Sequence, residues 1–176
     1  MFYDVKENHF IGEVQDTIIN LKTGKREKLD ISYNVVVDRA SVLFASLLKG
    51  EAGFSGIGFW EVGSGANNWT DDNPPSPLKT DTALLQPTFR KAILPSDINF
   101  IDATDRIVTT PTNRLEVKVK FNSGEANGNL REFGIFGGKG ASANILGSGY
   151  MINRKTHGNI FKTVDIELER IIRFTF

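Results

Sequence analysis

The stretch "KTVDIELERIIRFTF", residues 162–176, decides how this chain is read. Val164, Ile166, Leu168, Ile172, Phe174 and Phe176 share one parity, interrupted by Arg170, while Asp165, Glu167, Glu169 and Arg173 take the other. Side chains of a strand alternate between its two faces, so this pattern predicts a half-buried strand running to the last residue. "RLEVKVKF" (114–121) repeats the pattern, with Leu115, Val117, Val119 and Phe121 set against Glu116, Lys118 and Lys120. "LREFGIFGG" and "ILGSGYMIN" follow as two more strands joined by the turn "GKGASA".

The first half adds fewer strands. "EVQDTIINL" and "KLDISYNVVVD" predict a hairpin across the polar turn "KTGKREK", with Leu29, Ile31, Tyr33, Val35 and Val37 on the buried face. "DRASVLFASLLKG" changes period. Asp38 suits an N-cap and Gly50 a left-handed C-cap, and Val42, Leu43, Ala45, Leu47 and Leu48 cover most of one side, so a short helix is expected at about 39–49. "SGIGFWEVG" returns to a strand, with Trp60 either buried beside Ile57 and Phe59 or part of a contact surface. Then "SGANNWTDDNPPSPLKTDTALLQPTF" forms a long Pro/Gly/Asn-rich loop, a kind of segment that often makes contacts, with one helical turn expected in "TDTALL".

These elements predict a mainly β chain: one antiparallel β-sandwich-like domain over residues 1–176. Residues 1–37 form an N-terminal hairpin, a candidate attachment or assembly element.

Composition narrows the function. Lys plus Arg number 21 and Asp plus Glu number 21, so the formal net charge is zero. Proteins that grip nucleic acid usually carry a basic excess, and no nucleic-acid partner is expected. With no cysteine, disulfides and thiolate metal sites are excluded. The N-terminus has no apolar core segment, and no run reaches the length of a membrane span, so neither a signal peptide nor a membrane partner is expected.

Candidates for chemistry are few. His9 and His157 stand outside any spaced cluster, and His157 in "RKTHGN" reads as a surface turn residue. "FGIFGGKG" fails as a phosphate loop, because Phe133 takes the place of the first glycine and Gly140 that of the Ser or Thr. Asp97, Asp102 and Asp105 read as solvated loop residues. Arg131 and Glu132, adjacent on a strand, point to opposite faces and read as the polar start of a buried strand rather than a catalytic pair. No catalytic residue, metal site or cofactor is expected, and the chain is not read as an enzyme. Trp69 is the exception to a bland loop: it plugs the core beneath it, anchors a protein interface or stacks on a sugar, with Asp71, Asp72 and Asn73 as polar neighbours.

Three stretches carry a resemblance. "ASVLFASLLKGEAGFSGIGFWEVGSG" is followed by "PPSPLKTDTALLQPTFRKAI", and then by "LEVKVKFNSGEANGNLREFGIFGG" continued by "LGSGYMINRKTHGNIFKTVDIELERIIRFTF". In order and spacing, residues 38 to 176 resemble phage tail and tail-fibre-type (tail-collar-like) virion structural proteins. The resemblance implies a structural component of a tail, neck or fibre attachment apparatus, located in the virion and made in the host cytoplasm. Its implied partners are other copies of itself and neighbouring tail, neck or baseplate proteins. The alternative is a carbohydrate-binding module of a tail fibre, whose partner is a host glycan.

Overall fold

The computed structural model describes residues 10–176. The first nine positions of the expected N-terminal hairpin, His9 among them, lie outside that description. In chain order the elements are β1 (Ile11–Asn20), β2 (Arg26–Lys28), β3 (Ser32–Val36), α1 (Asp38–Lys49), β4 (Ile57–Gly63), β5 (Pro87–Ala92), β6 (Ile98–Ile101), β7 (Ile107–Val108), β8 (Arg114–Phe121), β9 (Gly128–Gly137), β10 (Tyr150–Lys162) and β11 (Ile166–Thr175).

All strand pairs are antiparallel, in the order β5-β4-β9-β10-β3-β1-β11-β8-β6-β7, with β2 also on β1. The path folds over at β3, which pairs with β1 through Ser32–Asn34 and with β10 through Val35 and Val36. Two sheets result. Val14, Val117, Val119, Phe121, Leu168, Ile172 and Phe174 of the first meet Trp60, Val62, Phe133, Ile135 and Ile152 of the second in one apolar core. The described residues form a mainly β antiparallel sandwich with one α-helix, as the alternations predict.

β8 and β11 bury the faces expected of them, although Val164 precedes β11 and is exposed, and Phe176 sits at the rim. The hairpin differs more. β2 forms inside the expected turn, and Ile31 and Tyr33 face solvent while Val37 is enclosed. A strand that leaves one sheet for another must rotate, so β3 cannot keep one buried parity along its length. In α1, Val37 holds the N-cap position and Asp38 is the first helical residue; Gly50 closes the helix in the left-handed region, as expected. Ala40 and Leu43 are its buried residues, while Val42, Leu47 and Leu48 are exposed. "TDTALL" forms no helical turn.

Arg170, the interruption in the C-terminal pattern, points into the core with 0% exposure. Its Nε and Nη2 donate to the two carboxylate oxygens of Asp16 at 2.6 Å each, and its guanidinium lies 3.9 Å from the centroid of the Phe133 ring. Asp16 shares its parity with Val14 and Ile18 and sits directly opposite Arg170 in the β1–β11 register. His157, expected in a surface turn, lies within β10 where the register with β9 shifts, and it is partly buried. Its Nδ1–H donates to the Gly158 carbonyl at 2.7 Å, leaving Nε2 to accept from Arg170 Nη2 at 3.3 Å. Burial, and then the neighbouring Arg170 charge, push its pKa down to about 4.

Two outcomes follow from this cluster. Asp16→Leu alone strands a buried guanidinium and should cost about 3–5 kcal/mol, much of it recovered in Asp16→Leu/Arg170→Met, as read from urea midpoints. His157 binds its proton more weakly folded than unfolded, so its contribution is complete above its ordinary pKa of 6.5 and is lost as pH falls towards about 4. Between about pH 7 and about pH 5 the wild type should therefore lose about 2 kcal/mol more stability than His157→Gln. Equal losses in the two proteins would show that His157 does not titrate on unfolding.

Candidate functional site

Two loops leave the second sheet, and buried charges hold both. The first, residues 64–86, contains the residues singled out in the sequence. Arg131 and Glu132 grip its opposite ends. Arg131 Nη1 donates to the Trp69 carbonyl at 3.0 Å, and Nη2 lies 3.3 Å from Asp71 Oδ1. Glu132, at 0% exposure, accepts the backbone N–H groups of Leu85 at 3.0 Å and Gln86 at 2.8 Å. Arg154 bridges Glu132 at 2.6 Å and Asp81 at 2.8 Å, which fixes the middle of the loop to the same carboxylate. Thr156 Oγ1 donates to the Pro75 carbonyl at 2.7 Å, and the Asn159 N–H to Asp71 Oδ1 at 3.2 Å.

This arrangement corrects the reading of Arg131–Glu132 as a polar strand start. Glu132 is wholly enclosed, and the pair is a clasp on one segment of backbone. A bare glycine is needed where the loop returns. A β-carbon on Gly63 would lie 2.5 Å from the Gln86 carbonyl oxygen and 2.9 Å from Glu132 Oε1.

The expected contact residues separate into two groups. Trp60 has 0% exposure and packs against Phe133, so it is a core residue and leaves the contact surface. Trp69 is partly buried, with its ring laid on Gly65 of its own loop. Asp71, Asp72 and Asn73 are exposed beside it, with Asp71 committed to Arg131 and Asn159.

The second loop, residues 138–149, was read only as a turn, and its brace gives no local signal. Glu61 Oε2 accepts Arg90 Nη1 and the Gly147 N–H at 2.8 Å each, and Arg90 Nη2 donates to the Ser148 carbonyl at 2.8 Å. Glu61 is 0% and Arg90 9% exposed, and the Arg90 guanidinium lies 4.5 Å from the Phe59 ring centroid and 4.9 Å from that of Phe136. Ser148 Oγ ties the turn to itself, donating to the Ile145 carbonyl at 2.7 Å and accepting the Ser142 N–H at 2.9 Å. The tip presents Ile145 and Leu146 to solvent.

Two cavities lie at opposite ends of β11. One, of about 410 Å³, has Asp16 and His157 in its wall, both engaged by Arg170. The other, of about 390 Å³, is lined by Leu43, Phe44 and Leu47 of α1 with Ile57, Phe174 and Phe176 among its walls, and is almost wholly apolar. Of Asp102 and Asp105, expected as solvated loop residues, the Asp102 carboxylate caps its own turn and the Asp105 carboxylate pairs with Arg114. Hydrogen bonds from Thr104 and from the Arg106 N–H hold the Asp102 carboxyl below its ordinary pKa.

No family model, no curated protein and no solved structure matches the chain.

Glu132→Ala should free the loop without unfolding the sandwich. It leaves two backbone N–H groups without their acceptor, a loss of about 1–3 kcal/mol for each that stays buried. Trypsin should then cut after Lys79 at least about tenfold faster, as local opening becomes more frequent than global unfolding. An unchanged cutting rate would show that contacts elsewhere hold the loop.

Proposed function

We propose that the protein is an assembly subunit of a phage-tail-type virion structure, which acts by presenting preformed loops from a rigid sandwich to neighbouring protein subunits. One observation carries the reading: the wholly enclosed carboxylates Glu61 and Glu132 are used to hold the backbone of surface loops. Burying a charge is costly unless it is paired and hydrogen-bonded, and a paired charge inside a core seldom adds stability over an apolar residue of similar size. What such a pair supplies is position. A loop already fixed in its bound form loses less conformational entropy on association, so a given contact area yields more affinity.

The tail-type setting comes from the sequence resemblance over residues 38 to 176, and the clasped loops supply a physical reason for a binding rather than a chemical task. Exposed Leu78 and Leu85 on the first loop and Ile145 and Leu146 on the second give the presented surfaces apolar content.

The reading is tested on virions purified from the culture that expresses the chain. Mass spectrometry should find the protein in the particles at several copies each. A chain confined to the soluble fraction, and absent from the particles, would overturn the proposal.

A further inference from the structure

We propose that the α1 end of the sandwich docks a second copy of the chain, with the Ile145–Leu146 tip of each copy seated in the apolar end groove of the other. The inference rests on the reading of the protein as an assembly subunit and names its partner.

The strand directions place tip and groove together. Loop 138–149 joins the end of β9 to the start of β10, and the groove is walled by Ile57 at the start of β4, Ile152 near the start of β10 and Phe174 at the end of β11. Since β4 and β9 are antiparallel, with Ile57 opposite Gly137, the groove and the roots of the loop that carries the tip belong to the same end of the molecule. A convex apolar tip and a concave apolar groove on one end are self-complementary. Two copies related by a twofold axis can exchange them reciprocally, so that the contact closes instead of propagating.

The chemistry and the area agree with that occupant. The groove is lined by leucine, isoleucine and phenylalanine, and the tip offers one isoleucine and one leucine, 60% and 44% exposed. Beside the groove Leu47, Leu48 and Phe176 are 39%, 91% and 41% exposed. Together these five side chains present roughly 450 Å² of apolar surface per copy. A stable interface takes about 800 Å² per partner, of which about 65% is apolar in homodimers, or roughly 500 Å². Zero net charge removes long-range repulsion between copies. The tip is braced through Gly147 and Ser148 by Glu61 and Arg90, so little freedom is lost when it docks.

The absence of cysteine gives a clean test. The full chain carrying Leu47→Cys and Leu146→Cys should yield, on mild oxidation, a disulfide-linked species of twice the chain mass. The pair Lys25→Cys and Leu146→Cys, whose first member lies in the β1–β2 turn, should not. By sedimentation equilibrium Leu146→Asp and Ile145→Asp should each weaken self-association at least about tenfold, with the melting temperature reporting that the sandwich stays folded. Self-association that persists unchanged in both variants, with no Leu47–Leu146 cross-link, would overturn this docking while leaving the assembly role standing. A wild-type chain that stays monomeric up to high micromolar concentration, again with no cross-link, would also overturn it. Presence in the particles remains the separate measure of the assembly role.

Discussion

Asp16 and Arg170 face each other across β1 and β11 in the middle of a core built from valine, leucine, isoleucine and aromatic rings. Desolvating the two charges costs several kcal/mol each, and their attraction offsets this only when the geometry is close to ideal. Two parallel hydrogen bonds of 2.6 Å meet that condition. The consequence is a constraint on register. Sliding β1 by two residues would keep every side chain on its proper face, yet would set Asp16 against Leu168 or Ile172 and leave both charges buried without a partner. Apolar alternation alone cannot distinguish those registers. The ion pair does, and β8, β3 and the sheet fold at β3 take their places from the β1–β11 pairing.

The same principle recurs further out, with different work to do. Glu61–Arg90 and Glu132–Arg154 are enclosed acid–arginine pairs, but each carboxylate also accepts backbone N–H groups of a loop. The central pair fixes strand against strand; the outer two fix loop against sheet. Phe133 links the layers, since it lies under Arg170 on one side and packs against Trp60, the neighbour of Glu61 in β4. The surface loops are therefore mounted on the same framework that sets the register.

Much of this was legible. The period of two in β8 and β11 persists because each strand has one face on the core and one in water. Arg170 stood out as a break in that period, and Asp16, in parity with Val14 and Ile18, is its mirror on another strand. Two opposite charges on two buried faces are a readable signal, and pairing them would have located the core cluster. Other features carried no local trace. β5, β6 and β7 are short and lie next to Pro- and Asp-rich turns, so their pattern is brief. His157 sits in a bulge, which uses the same glycine and asparagine residues as a turn. Glu132 reaches backbone groups 46 and 47 positions away, and main-chain partners leave no residue type to recognise. Trp60 and Trp69 could be told apart only by what covered them.

The central pair also has a temporal meaning. Asp16 and Arg170 are 154 positions apart in the chain, so the contact that selects the register is among the last that diffusion of the chain brings together. Closing so long a loop loses conformational entropy before any native contact rewards it, and sheets joined this way fold slowly. In the unfolded chain both charges are hydrated, and the desolvation penalty is met only where β11 lies between β1 and β8. An inward-pointing charge discourages a strand edge from pairing with another chain, so the two residues that fix the native register also disfavour wrong pairing of β1 and β11 before they meet.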